Sequence, residues 1–241
     1  MSLAGQVAVI TGAGRGIGQA LALACAREGA SVVLAARTAD ELAETEWLID
    51  EIGAPSLAVV TDVRHVDQLV ALAQQAINRF QHVDILVNSA GVGLRAPLAE
   101  TSERDWDSVV DTLLKGTYFA IQAFVPYLRV QRRGRIVNIA APLDRIATPG
   151  FSAYTAAKYG VEGLTLTLAK ELRPLGVAVY ALHPGGFADT RMVRLAVPEL
   201  RKGLLPVDIV VEPFLSLVGS NADAETGRIV DARAWHEQQN R

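Results

Sequence analysis

The feature that most constrains this chain is a repeated switch in its hydrophobic period. Short runs that are apolar at nearly every position alternate with longer stretches whose apolar residues recur every three or four. The runs are Val7–Ile10, Ser31–Ala36, Ser56–Thr61, Val83–Asn88, Arg135–Ile139, Val177–Leu182 and, at the end, Arg228–Val230. Helical spacing marks Gly16–Glu28, Thr38–Ile52 with Thr38 as candidate N-cap, and the stripe Val66, Leu69, Val70, Ala73 and Ile77. It returns over Asp105–Leu128, Ala153–Leu172 and, less clearly, Val207–Val218. Pro126 is expected to distort or end the last turn of its helix. A strand apolar on both faces has to be covered on both. Strands of that kind separated by helices predict an α/β fold, a doubly wound parallel sheet of about seven strands with right-handed crossovers and helices on both faces. No Pro/Ser-rich linker, low-complexity tract or internal repeat interrupts the 241 residues, so residues 1–241 are expected to form a single domain.

The alternation breaks over Phe187–Pro206, where Arg191, Arg194, Arg201 and Lys202 are interleaved with Met192, Leu195 and Leu200. Two readings stand: a lid over a site, or an ordinary surface excursion with a solvated basic face.

Composition narrows the function classes. Half the residues are hydrophobic and 20% are charged, which is too apolar for a disordered chain and ample for a core. The net charge of −3 gives no reason to expect a nucleic-acid partner. The longest uncharged stretch, Pro174–Ala188, has 15 residues with two prolines and three glycines. It cannot be a bilayer-spanning helix, so no membrane partner is expected. No basic segment followed by an apolar run opens the chain, so the expected location is cytoplasmic. A lone cysteine, Cys25, excludes an intrachain disulfide and a multi-cysteine metal site. It shares a helical stripe with Ile17, Leu21 and Ala24, which reads as a small buried apolar group. His65, His82, His183 and His236 show no ligand spacing, and no metal is assigned.

Between the first strand and first helix lies Thr11-Gly12-Ala13-Gly14-Arg15-Gly16-Ile17-Gly18. Glycines there let the backbone approach a diphosphate, and the helix N-terminus offers free N–H groups to it. The spacing is T-G-x-x-x-G-x-G rather than G-x-G-x-x-G, and its placement in an alternating chain points to a dinucleotide. The second strand ends at Ala36-Arg37, where an NAD site usually carries an acidic side chain. Arg15 and Arg37 can fork onto a 2′-phosphate, with no carboxylate there to repel it. NADP(H) is therefore preferred over NAD(H).

Tyr154 and Lys158 are four apart, on one face of a helix. A free tyrosine has a pKa of ~10 and is a poor acid–base at neutral pH. A nearby ammonium lowers it, and such a phenol can give a proton to a carbonyl oxygen or take one from an alcohol. The nicotinamide would carry the hydride.

With TDV at 61–63, NSAG at 88–91, GRIVNI at 134–139, YTAAK at 154–158 and HPGG at 183–186 added to TGAGRGIG at 11–18, the chain resembles the short-chain dehydrogenases/reductases from about Leu3 to Val230. The resemblance implies a Rossmann-type sheet and NADP(H)-dependent interconversion of a small-molecule carbonyl and a secondary alcohol. It implies that Gly12, Arg15, Gly16, Ile17 and Gly18 line the pyrophosphate, that Asp62 and Val63 flank the adenine, and that Asn88 supports the pocket with Ala90 and Gly91 beside the ribose. Tyr154 would be the catalytic acid–base, and Lys158 would hold the nicotinamide ribose and tune Tyr154. Pro184 and Gly185 would pass near the nicotinamide. A homo-oligomer, tetramer or dimer, would form through the two long helices.

The chain departs from that family's pattern where chemistry is concentrated. The usual serine thirteen residues before the tyrosine is Ala141, preceded by Ala140. The usual asparagine seven residues after Trp106 is Leu113. Losing one donor to a developing oxyanion costs ~10²–10³ in rate, and leucine cannot do an asparagine's polar work at a helix kink. Ser152, Thr148 and Thr155, and less so Asp144 and His183, are candidates for partial rescue. The alternative reading is thus a catalytically weak or inactive dinucleotide-binding protein, a sensor or assembly subunit. Where the family often has threonine five residues after the proline of the PG turn, this chain has Asp189 and then Thr190. The terminal V-D-G-G is replaced by Val230-Asp231-Ala232-Arg233, which unsettles a subunit contact there. Leu94, Pro97, Leu143, Ile146, Phe151, Phe187, Met192 and Leu195 are candidates for an apolar substrate wall or for core.

Overall fold

The computed structural model describes residues 2–200, 202–219 and 225–239. Arg201, one of the basic residues of the 187–206 segment, lies outside them. Among the described residues seven strands form one all-parallel sheet: β1 (Val7–Thr11), β2 (Ser31–Ala36), β3 (Ser56–Val60), β4 (Ile85–Asn88), β5 (Gly134–Ile139), β6 (Val177–His183) and β7 (Ile229–Asp231). Their order is β3-β2-β1-β4-β5-β6-β7. The chain runs outward one way from β1, then returns to start the other half at β4. A crevice therefore opens beyond the C-terminal ends of β1 and β4, where ligands bind in sheets of this kind.

Both faces of the central strands are buried, for the reason the continuous apolar runs suggest. Ala8 and Ile10 pack under Leu21 and Cys25 of α1 (Gly16–Arg27), Leu42 and Ile49 of α2 (Ala39–Ile52), and Phe214 of a helix near the C-terminus. Val7 and Val9 face α3 (Val66–Phe80) and the two long helices that follow. Each fully buried Val, Leu or Ile contributes about 1.5–3 kcal/mol. Cys25 is fully buried, and burial pushes its thiol up to about 12.

The stretch expected as one helix over Asp105–Leu128 is not uniform. It divides into α4 (Glu103–Val110), a π-helical turn over Asp111–Lys115, and α5 (Gly116–Gln131). Thr112 Oγ1 donates to the Ser108 carbonyl at 2.7 Å and Thr117 Oγ1 to the Leu113 carbonyl at 2.8 Å. Bonds of this kind to the carbonyl four residues back loosen and bend helices. The helix thus departs from α geometry at Leu113 with no asparagine present. Pro126 does not end α5, which continues to Gln131.

After β5 come α6 (Leu143–Ile146), α7 (Ser152–Leu172) and, beyond β6, α8 (Arg191–Ala196), α9 (Val211–Val218) and α10 (Ala232–Gln239). The sequence pattern shows neither α6 nor α8, because each is too short to display a helical period, nor α10, whose eight residues are mostly polar. α10 begins where the family pattern has glycines, and the Asp231 carboxylate accepts from the Ala234 N–H at 3.0 Å to cap it. Thr38 stands at the N-cap of α2 but makes no capping bond with its side chain.

A polar ladder fixes the upper ends of the strands. Thr11 lies opposite Asn88, and Asn88 opposite Asn138. Thr11 Oγ1 accepts from the Ser89 and Ala90 N–H groups at 3.1 and 3.3 Å. Asn88 Nδ2 donates to Asn138 Oδ1, and Asn138 Nδ2 to Thr165 Oγ1 of α7, both at 2.9 Å. The chain leaving β4 and the helix carrying Tyr154 and Lys158 are thereby tied to the same strand ends.

Candidate active site

A cleft of about 530 Å³ occupies the crevice at these strand ends. Gly12, Arg15, Gly16, Ile17, Gly18, Arg37, Asp62, Val63, Ala90, Gly91, Tyr154, Lys158 and Pro184 all line it. Asn88 and Gly185 do not. Asn88 is buried in the polar ladder beneath the wall. Gly185 faces backwards, where a Cβ would lie 2.2 Å from Asp231 Oδ1.

The floor is the glycine loop, which leaves no room for a side chain at Gly12 or Gly18. A Cβ on Gly18 would lie 2.2 Å from the Gly12 carbonyl oxygen, and one on Gly12 would lie 2.7 Å from Ala90 Cα. Helix α1 starts at Gly16 without a side-chain cap from Arg15. Its first-turn N–H groups are thus available to an anion, and the loop fits a dinucleotide diphosphate. That chain of fits continues outward: Arg37 is exposed at the end of β2, and Asp62 holds Arg64 in a forked pair at 2.6–3.0 Å. The Arg64 hydrogen bonds hold the Asp62 carboxyl below its usual range.

One expectation about this end is corrected. A carboxylate does stand beside Arg15. Glu41, in the first turn of α2, lines the cleft, accepts a hydrogen bond from Arg15 Nη1, and lies 3.7 Å from Arg191 Nη1. It escaped notice because it comes four residues after Arg37 and reaches the glycine loop only once α2 docks there.

At the other end, α7 presents Tyr154 and Lys158 to the cleft. Lys158 Nζ lies 5.8 Å from the Tyr154 ring centroid and donates to the Ile139 carbonyl at the end of β5. Burial dominates both groups. It pushes the Tyr154 phenol up to about 12 and the Lys158 ammonium down to about 8. The expected lowering of the tyrosine by the lysine is therefore not what governs this arrangement; desolvation wins.

Ala140 and Ala141 line the cleft where a serine was expected, and Leu113 lies close by, fully buried. Leu113 packs with Val109, Ala153, Ala157 and Tyr154. None of the rescue candidates reaches the cleft. Ser152, Thr148 and Asp144 are exposed. Thr155 Oγ1 donates to the Ile146 carbonyl at 2.9 Å, and His183 Nδ1 accepts from the Gly185 N–H at 3.2 Å. Of the residues expected as an apolar wall, Ile146, Phe151, Phe187 and Met192 line the cleft, joined by Val193, Ala196 and Val197. Leu94, Pro97, Leu143 and Leu195 do not.

The 187–206 segment closes one side. Thr190 lines the cleft and caps α8, accepting from the Val193 N–H at 3.2 Å, while Asp189 pairs with Arg194 at 2.6 and 2.8 Å. Met192 lies against Gly93, where a Cβ would meet its Cγ at 3.0 Å. Beyond α8, Glu199 accepts from Arg95, whose guanidinium sits 5.8 Å from the Phe151 ring centroid.

Residues 6–200 match the family described as short chain dehydrogenase. The chain belongs to this family. Within the family it is similar to the 3-oxoacyl-[acyl-carrier-protein] reductase FabG of Staphylococcus aureus, strain Mu50, at 36% identity over 201 residues, covering 82% of this chain and 80% of the relative. The Thermotoga maritima reductase of the same name is 35% identical over 243 aligned positions, 95% of this chain and 97% of the relative. Among solved structures, a putative NAD(P)-dependent gluconate 5-dehydrogenase from Beutenbergia cavernae with bound NADP superposes with a TM-score of 0.89 at 32% identity, over 96% of each chain. Carveol dehydrogenase from Mycobacterium avium in complex with NAD gives 0.87 at 28%, over 95% of this chain and 97% of that one. The protein is an oxidoreductase of a family whose members bind nicotinamide dinucleotides. Among the described residues no cluster of His, Cys, Asp or Glu could hold a metal, and no helix is long and apolar enough to cross a membrane.

Proposed function

We propose that this protein interconverts a carbonyl and a secondary alcohol with NADP(H), using Tyr154 as the acid–base. The observation that carries the reading is the convergence, in one cleft, of the glycine loop, Arg15 and Arg37 at one end and Tyr154 with Lys158 at the other. The nicotinamide, when bound, supplies or accepts the hydride at the substrate carbon. Gly12, Gly16 and Gly18 admit the diphosphate, and Arg15 and Arg37 favour a 2′-phosphate. In reduction the Tyr154 hydroxyl gives its proton to the substrate oxygen; in oxidation the phenolate takes it back. A phenol held near 12 keeps its proton at neutral pH, which suits the reducing direction. Lys158, held near 8, is still mostly protonated at pH 7 and offsets the charge left on the phenolate.

The substrate end is apolar. Ile146, Phe151, Phe187 and Met192 favour a substrate whose reacting carbonyl is attached to an uncharged, hydrophobic body. The 187–206 segment acts as the lid over it. Trp106, Tyr118, Tyr159 and Leu166, exposed on α4, α5 and α7, support an oligomer formed through the long helices.

Substituting Tyr154→Phe tests the reading. Turnover of NADPH with a mixed ketone panel is expected to fall by at least ~10²-fold, with NADPH still bound. Unchanged turnover would remove Tyr154 from the mechanism. A second reading, a dinucleotide-binding protein with little catalysis, is favoured by Ala141 and Leu113 and by the placement of Ser152, Thr148 and Thr155 outside the cleft. It predicts NADPH binding without reduction across the panel, and ordinary rates in the unmodified protein dismiss it.

A further inference from the structure

We propose that Glu41 sets how strongly the cleft discriminates between phosphorylated and unphosphorylated dinucleotides, by occupying Arg15 in competition with a 2′-phosphate. The inference rests on the cofactor reading above and concerns a residue that the glycine motif and the strand-end arginine do not include.

Three guanidiniums line the adenosine end of the cleft: Arg15, Arg37 and Arg191. Alone they would make a strongly phosphate-seeking pocket. Among the described residues, the other carboxylates lining the cleft pair with other arginines: Asp62 forks onto Arg64 while also acting through space on Arg37, and Asp189 pairs with Arg194. Glu41 is the carboxylate that meets Arg15, and the same oxygen lies 3.7 Å from Arg191.

Glu41 is held there by the loop itself. A Cβ on Gly14 would lie 2.9 Å from Glu41 Cβ, so the glycine lets the glutamate stem rest against the loop backbone. One turn on, the fully buried Thr45 donates from Oγ1 toward the carbonyls of Glu41 and Ala13, each at 3.1 Å, and accepts from Gln19 at 3.0 Å. The first turn of α2 is therefore fastened to the phosphate loop, and the carboxylate is aimed at Arg15 rather than swinging in solvent.

The competition follows from charge. An unphosphorylated dinucleotide leaves the Glu41–Arg15 pair undisturbed. A 2′-phosphate has to take the guanidinium from Glu41 or share it with a neighbouring carboxylate, and both weaken its attraction. Glu41 thus moderates the preference that Arg15 and Arg37 create, leaving NAD(H) a usable ligand. Because Arg191 opens α8, the same carboxylate also joins the adenosine end to the 187–206 segment.

The test measures binding, not turnover. NADPH and NADH are titrated separately into the unmodified protein and into Glu41→Gln by nicotinamide fluorescence. Glutamine keeps the stem on Gly14 and removes the charge. The NADPH Kd is expected to fall by about three- to tenfold, the scale of one half-exposed ion pair, with the NADH Kd changing by less than about twofold. In Glu41→Gln carrying Arg15→Gln as well, the NADPH gain is expected to vanish. Glu41→Asp, one methylene shorter, should fall between the two. A parallel weakening of both cofactors would make Glu41 a packing residue and overturn the proposal, as would an unchanged ratio of the two constants. If the unmodified protein bound neither dinucleotide, the cofactor reading would fall and this proposal with it; binding with an unmoved ratio would sink this proposal alone.

Discussion

The two ends of the cleft are built to different standards. At the cofactor end, backbone approaches backbone so closely that glycine is required, and several charged side chains have defined partners. Gly18 meets the Gly12 carbonyl, Asp62 holds Arg64, and Glu41 holds Arg15. At the substrate end the wall is apolar. Ala141 and Leu113 stand where the family usually has a serine and an asparagine. The glycine-loop end is thus closely built, whereas the other end lacks the family's usual serine and asparagine. Such a contrast teaches that recognition of a cofactor and catalysis with it are separable properties of one fold.

The sharpest way to break this comparison is to supply the missing donor. Ala141→Ser places a hydroxyl on the cleft wall at the end of β5, and turnover should rise by up to ~10²-fold if one oxyanion donor is what the substrate end lacks. Steady-state reduction of the ketone panel reads it, and an unchanged kcat would mean the reaction does not need that group. Adding Leu113→Asn should cost stability, about 1–3 kcal/mol, because the side chain is buried among apolar neighbours.

The cofactor end is tested by crowding it. Gly18→Ala forces a methyl against the Gly12 carbonyl. Unfolding stability should drop by about 1–3 kcal/mol, seen as a lower urea midpoint, with dinucleotide affinity falling as well. A variant as stable as the parent, binding NADPH equally well, would show that the loop tolerates what its geometry forbids.

The smallest effect concerns pH. Lys158 has its folded pKa depressed to about 8 from 10.5. Between those values the unfolded chain binds more protons than the folded one, so this group makes the protein more stable as pH rises through that window. Tyr154, raised to about 12 from 10.0, opposes the trend above pH 10. Relative to Lys158→Met, the unmodified protein should therefore gain stability between pH 8 and 10, by at most about 1.4 kcal/mol per pH unit. Urea midpoints across that range measure it; a flat difference would place the ammonium in a more solvated setting than its burial indicates.

Much of the architecture was legible before any coordinates. Strand runs such as Val7–Ile10 and Ser31–Ala36 are apolar on both faces, and only a sheet covered twice can use them. The glycine loop and the Tyr154–Lys158 spacing are local patterns, and the fold gathers both into the one cleft. What escaped was set by docking between distant segments. Glu41 meets Arg15 only because Thr45 fastens α2 to the loop. The rescue residues looked near Tyr154 in the chain, yet Thr155 turns to the Ile146 carbonyl and Ser152 faces solvent. Short helices such as α6 and α8 carry too few turns to show a period. The π turn at Leu113 arises from threonine bonds to the backbone that leave no mark in the hydrophobic pattern.

The Arg95–Glu199 contact, at the far side of the cleft from Glu41, has one more implication. The strip of chain that walls the opening is fastened at each end by charges on the surface, while the sheet beneath is held by oil-like packing. Dissolved ions weaken the first kind of fastening and barely touch the second. A concentrated electrolyte should therefore loosen the doorway of this molecule and leave its foundations standing.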